Sequence, residues 1–305
     1  MNDMTKQLLS MISDFDEKFE GAFNIREDSS CAGRQSSANI KITDKKDLPG
    51  IEIHIKPGTK GEKVYIPACV THSDVNDLVY NDFFVGEDAD VVIVAGCGVH
   101  SDSHAEARHN GIHRFFLEKN AKVLYEEKHI GTGDGKGEKN IDPVTDIFLA
   151  EDAVMEMDTV QLGGVDKSLR KTSAKLGARA KLIVRERIMT DGKEYAKTDF
   201  DVSMDGEDSS VDLISRSVAK GHSYQEFLST LNGKNRCSGH SECDAILVDN
   251  GTVNAAPALE ASHVDAALIH EAAIGKIAGE QILKLRSLGL TEEEAQDRII
   301  QGFLK

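Results

Sequence analysis

Apolar and polar residues alternate through the middle of this chain, and the alternation recurs. Phe84-Val-Gly-Glu-Asp-Ala-Asp-Val91, Phe116-Leu-Glu-Lys-Asn-Ala-Lys-Val123 and Phe148-Leu-Ala-Glu-Asp-Ala-Val-Met155 align without gaps at steps of 32 residues. A weaker copy starts at Lys175, with further copies expected at Met204 and Ile246. A fixed period of this size signals a stacked repeat. Within a unit, Phe115, Leu117, Ala121, Val123 and Tyr125 fall on alternate positions around one turn. Ala180, Leu182, Val184 and Arg187 begin the same way and then break down. A period of two belongs to strands, and Asp, Asn and Gly mark the corners between them. The pattern predicts a mainly β fold, a right-handed parallel β-helix in which each rung pairs with its neighbours. A β-sandwich or cupin-like barrel is the competing arrangement.

The ends are helical. Leu8, Met11, Ile12, Phe15 and Phe19 lie at helical spacing, predicting an N-terminal helix within 1–22. Residues 23–275 form the β-region, and 276–305 a helical hairpin. Its first helix runs from Glu280 to Leu288 and closes at Gly289. The second opens with a capping box, Thr291 as N-cap and Glu294 at N3, followed by Ala295, Ile299, Ile300 and Phe303 on one face. The hairpin either caps the open end of the stack or docks another protein.

Composition narrows the partners. The 305 residues are 40% apolar and 29% charged, as in a folded chain, with a net charge of −16. That charge argues against nucleic acid and anionic membrane surfaces and suits a basic partner, cation handling or solubility. The acidic start has no export-signal pattern, and no apolar stretch approaches membrane-spanning length. Five scattered cysteines, an odd number, point to buried, metal-binding or reactive thiols in the cytoplasm.

Several apparent motifs fail. Gly131-Thr-Gly-Asp-Gly-Lys-Gly137 has neither Walker nor dinucleotide spacing and reads as a solvated turn. His270-Glu271 lacks a second histidine at Ile274, which excludes a zincin. His100, His104, His109 and His113 read first as a solvated loop with one or two core histidines. Alternation nevertheless puts His109 and His113 on one face, compatible with a metal.

Cys237-Ser-Gly-His240-Ser-Glu-Cys243 is the densest candidate. A turn would bring Cys237, His240 and Cys243 to one metal, as in structural zinc sites, although a fourth ligand is missing. The repeat suggests a second geometry. Ala153 and Ala180 occupy equivalent places 27 residues apart, and 27 or 28 residues beyond Cys243 stand His270 and Glu271. One rung would set the thiol beside the imidazole and carboxylate, across a strand gap of about 4.8 Å. Mixed ligands with few thiolates hold an iron–sulfur cluster loosely.

Cys243-Asp244-Ala-Ile-Leu-Val, His270-Glu271-Ala272, Gly289-Leu-Thr-Glu-Glu-Glu-Ala295 and Ile299-Ile-Gln-Gly-Phe303 together resemble the C-terminal part of the SufB/SufD family. These are scaffold subunits of the SUF iron–sulfur cluster assembly system. The resemblance is close over the last 65 or so residues and looser over the β-repeat. It implies a parallel β-helix and C-terminal helices that bind SufC, an ABC-type ATPase. It also implies sulfur supplied by a cysteine desulfurase system, and a homodimer or a SufB/SufD-type heterodimer. It places a transient cluster on Cys243 and Glu271, with His270 beside them, and gives Ile299, Ile300 and Phe303 to the docking helix. The chain would bind no nucleotide and have no turnover of its own. Departures are the short N-terminal part, Ala273 where threonine is common, and Cys237 and His240, which the family pattern does not place. The rival expectations are a zinc or iron metalloenzyme using Cys237, His240 and Cys243, and an interaction module with inert cysteines.

Overall fold

The computed structural model describes residues 1–13, 15 and 18–305. Among these residues are three helices and twenty strands. Helix α1 is Asp3–Ile12. The strands begin with β1 (Ala22–Glu27), β2 (Ser30–Gln35), β3 (Ile40–Asp44), β4 (Gly50–Ile55) and β5 (Lys60–Val70). Next are β6 (Asn76–Val85), β7 (Asp90–His100), β8 (Ala107–Leu117), β9 (Lys122–Thr132) and β10 (Lys139–Ile141). Then come β11 (Val144–Leu149), β12 (Val154–Leu162), β13 (Lys167–Leu176), β14 (Lys181–Thr190) and β15 (Tyr195–Met204). The last are β16 (Ser209–Ala219), β17 (Tyr224–Gly233), β18 (Cys237–Leu247), β19 (Thr252–Ala261) and β20 (Ala266–Gly275). Helices α2 (Gly279–Ser287) and α3 (Glu292–Phe303) follow.

The chain coils into a β-solenoid of about eight turns, as the alternation predicts. From β4 onward successive strands go to alternate sheets, with β10 and β11 sharing one. One sheet runs β2-β1-β5-β7-β9-β12-β14-β16-β18-β20, and the other β19-β17-β15-β13-β10-β8-β6-β4-β3, with β11 between β8 and β13. Pairing is parallel except for the first hairpins, β1 with β2 and β3 with β4. Inward side chains of both sheets make one core, with Phe83, Phe115, Tyr125, Leu182 and Leu213 fully buried. Burying the inward, alternate positions of both strands of a turn gives each rung its share of that core.

The repeat has a direct structural meaning. Phe84, Phe116 and Phe148 stack as an outer ladder, with ring centroids 5.2 and 5.1 Å apart. The corner residues Asp88, Asn120, Asp152, Arg179 and Asp208 all have positive φ, the conformation that turns the chain from one sheet to the other. The copy expected at Met204 is in register from its corner onward, with Asp208 at the place of Arg179 and Val211 paired with Leu182, but its entering strand is offset by one residue, since Ser203 is the partner of Lys175. The copy expected at Ile246 belongs to the opposite corner, because β18 lies in the other sheet.

The N-terminal helix is shorter than its spacing suggests. It ends at Ile12, where Ser13 caps the Leu9 carbonyl. Leu8, Leu9 and Ile12 are buried while Met11 is exposed. The helix lies against β7 at Gly96, where a Cβ would come within 2.9 Å of Ile12. Phe15 and Phe19 leave the helical pattern and join an aromatic cluster with Phe23 and Tyr65. At the other end the capping box of Thr291 and Glu294 forms as expected. Gly289 takes φ +99° where the chain turns between the two helices.

Candidate functional site

Strand β18 is extended through its whole length, and this decides what its ligand-type residues can do. Side chains alternate faces, so Cys237, Ser241 and Cys243 point into the solenoid while His240, Glu242 and Asp244 point out. The two sulfurs are buried in the core. Six residues of strand separate them by about 20 Å. The expectation that a turn gathers Cys237, His240 and Cys243 around one metal is therefore corrected.

Register corrects the second expectation. Cys243 pairs with Ala272, Glu242 with Glu271, Ser241 with His270 and His240 with Ile269. Rung lengths vary: Val154 lies beside Lys181, but Lys122 lies beside Val154 and Cys243 beside Ala272. The step at the last turn is thus longer than the one read from Ala153 and Ala180. Cys243 and His270 share the inner face, offset diagonally, whereas Glu271 is on the outer face. The proposed adjacency of Cys243 with Glu271 does not hold within one chain.

Two half-sites result. Outside, His240, Glu242 and Glu271 bring ligand atoms within 4.8 Å of one another. His240 donates from Nδ1 to Asp212 Oδ1 at 2.8 Å, leaving Nε2 3.7 Å from Glu271 Oε2. A carboxylate that orients an imidazole in this way is typical behind metal-binding histidines. The hydrogen bond to Asp212, despite partial burial, raises the His240 pKa above the usual range. Burial, with Asp244 nearby, likewise raises Glu242.

Inside, burial pushes the Cys243 thiol up to about 12, helped by the negative charges of Glu186 and Asp244. It is a neutral thiol in the free chain at physiological pH. His270 is half-buried next to it, and its Nδ1 has no hydrogen-bond partner among the described residues. Both half-sites sit on the final turn, where β20 and β19 end their sheets and carry no further strand.

Sequence reading missed the polar interior leading away from Cys243. Ser215, its neighbour on β16, donates to Glu186 Oε2 at 2.8 Å, and Thr198 donates to Oε1 at 3.0 Å. Arg170 Nε is 3.5 Å from Glu186 and its NH1 donates to Glu127 at 2.6 Å. Burial lifts Glu186 above the ordinary carboxylate range. Burial also opposes ionisation of Glu127, yet His129 and Arg170 hold it well below that range. The signal was present: the alternation Ala180, Leu182, Val184 continues inward to Glu186, and Val123, Tyr125 continues to Glu127 and His129. It looked like a broken pattern because the inward residues are charged.

The docking residues divide as well. Ile300 is buried against Val218 and Val248, with Phe303 packed on the same cluster. They fasten α3, the expected docking helix, to the solenoid, and Ile299 is half-buried. Helix α2 has no buried residue, and Leu283 and Leu288 are exposed.

Residues 78–303 match the family model described as SUF system FeS cluster assembly, SufBD core domain. An iron–sulfur cluster assembly SufBD family protein of Methanothermobacter thermautotrophicus is 30% identical over 266 residues, 85% of this chain and 63% of the relative. Another, from Archaeoglobus fulgidus, is 30% identical over 267 residues, 87% of this chain and 70% of the relative. A third, from Methanocaldococcus jannaschii, is 25% identical over 268 residues, covering 83% and 80%. The chain thus spans a little under two thirds of the Methanothermobacter relative's length. A solenoid with ligand-type side chains on its last turn, matched along most of its length by these proteins, belongs to the SufBD family of the iron–sulfur cluster assembly system.

Proposed function

We propose that this chain is a scaffold on which iron–sulfur clusters are built, and that its last turn is where the cluster forms. The carrying observation is the register of β18 with β20. It sets a thiol and an imidazole, Cys243 and His270, just inside the final rung, and His240, Glu242 and Glu271 just outside it. The cluster is cargo, so a loose ligand set of mixed hardness serves release. Iron binding would deprotonate Cys243, since a coordinated thiol gives up its proton. Because Cys243 and Glu271 face opposite ways, joint ligation needs the final strand to shift or a second protomer to contribute.

The exposed edge of β19 and β20 suits such a second protomer, giving a homodimer or a SufB/SufD-type pair. Ile269 and Ile274 are exposed on β20, and Leu259 on β19. A SufC-like ATPase would dock on the hairpin through α2, with Leu283 and Leu288 as apolar contacts. Only residues 276–278 separate β20 from α2, so movement of the docked hairpin would pull on the ligand-bearing strand. Sulfur would come from a cysteine desulfurase system.

Anaerobic reconstitution with ferrous iron and sulfide tests the reading. The expected result is visible cluster absorption that falls at least fivefold in Cys243→Ser and in Glu271→Gln. Unchanged absorption in Cys243→Ser defeats it. A resident-metal protein is the second reading, favoured by the close outer group of His240, Glu242 and Glu271. Stoichiometric metal that survives aerobic purification and mild chelation, lost in His240→Asn, would favour it instead.

A further inference from the structure

Far from the last turn, the solenoid interior holds a second set of ligand-type side chains. On β8 the inward positions run Ala107, His109, Gly111, His113 and Phe115. His109 and His113 are both more than nine-tenths buried. Both line a small cavity of about 20 Å³, room for a single water-sized sphere. Cys97, Glu127 and His129 line it from the facing sheet.

The hydrogen bonds fix the tautomers. Asp77 Oδ2 lies 3.0 Å from His109 Nδ1, and a carboxylate can only accept, so Nδ1 carries the proton. Tyr125 donates its hydroxyl hydrogen to Glu127 Oε1 at 2.8 Å. Its oxygen, 2.7 Å from His113 Nδ1, therefore accepts from that nitrogen. Each ring thus has its Nδ1 hydrogen held on the side away from Gly111, and Nε2 is the ring nitrogen left to bind anything else; no hydrogen bond of either Nε2 is found among the described residues.

Both nitrogens bend over Gly111. A Cβ there would stand 3.0 Å from His113 Nε2 and 3.3 Å from His109 Nε2. The missing side chain is what leaves the space, and both Nε2 atoms border it. Two ring nitrogens bordering one small space can be bridged there by a cation or by a water.

We propose that His109 and His113 bind one divalent d-block ion of the imidazole-preferring class, zinc or ferrous iron, through their Nε2 atoms over Gly111. Asp77 and the Tyr125 hydroxyl take up the two Nδ1 positions, so Nε2 is the nitrogen each ring offers the ion. Zinc–nitrogen bonds of about 2.0–2.1 Å suit a void of this size. Asp77 behind His109, and Tyr125 with Glu127 behind His113, supply the outer hydrogen bonds that orient metal-binding imidazoles. The remaining positions fall to water in the cavity, with the Cys97 thiol and His129 on its wall. This site does not depend on cluster assembly at the last turn.

The test uses the full chain and zinc(II) alone. Crystals of the metal-free protein are soaked in zinc(II) and an anomalous difference map is calculated at the zinc edge. A peak between His109 Nε2 and His113 Nε2 is expected. A water there with no anomalous signal, or a peak only at His240 and Glu271, overturns the proposal. In solution, a His240→Asn, Glu271→Gln background silences the outer group. Zinc(II) should then bind with one equivalent and weaken at least tenfold in His109→Ala, and in Gly111→Ala, which fills the space while keeping both rings. Equal affinity in all three also overturns it, and the map on the unaltered protein decides the matter should a variant not fold.

Discussion

Arg170 is the pivot of the buried charge in this molecule. It stands between Glu127 and Glu186, and all three side chains are almost fully excluded from water. Removing one partner of such a group strands the other charges in a poor dielectric. Arg170→Leu should therefore cost about 3–5 kcal/mol in urea unfolding. Asp82 carries a gentler prediction. Burial favours its neutral form, but hydrogen bonds from Arg114 and Lys45 outweigh this and lower its pKa. A carboxyl lowered on folding adds stability above its unfolded pKa of about 4 and loses it as pH falls through the lower folded value. Melting temperature should fall with acid through that window, and fall less steeply in Asp82→Asn. Among residues, the sequence marked Cys243, His240, His270 and Glu271 as chemical. It did not mark Arg170 or Glu186, because a charged residue at an inward position looks like a lapse in alternation until its partner from another turn is known.

Among the elements, the hairpin shows how one apolar stripe serves two ends. The spacing of Ala295, Ile299, Ile300 and Phe303 announced a helix face, and the capping box announced where it starts. What the face touches was undecided. It lies on Val218 and Val248 at the flank of the solenoid, leaving α2 uncovered. Ile300→Ala should loosen α2 and α3 together. Hydrogen exchange in the hairpin is expected to rise at least tenfold while β7, β9 and β14 keep their protection. Equal loosening of those central strands would show that the hairpin is integral to the core. Strand β18 teaches the converse. Its three ligand-type residues at equal spacing suggested a turn around a metal, yet the hydrogen-bonded partners on both sides, β16 and β20, hold it straight.

For the whole molecule, the solenoid makes stability a neighbour-by-neighbour property. Interior turns are held on both sides, whereas β19 and β20 are held on one. A single copy should exchange amide hydrogens fastest in those two strands and the hairpin, and a dimer formed through that edge should slow them selectively. The sequence by itself determined the repeat, the coiling into turns, the positive-φ corners and the caps of the last helix. Each follows from local propensity and from which residues must leave water, and those preferences are written at short range. Only the tertiary structure decided register, and with it which residues meet. Corner lengths differ from turn to turn, and a change of one residue moves a side chain from the core to the outside. That is why Glu271 stands with His240 instead of Cys243, and why two histidines on one strand find a cavity built by strands of the facing sheet.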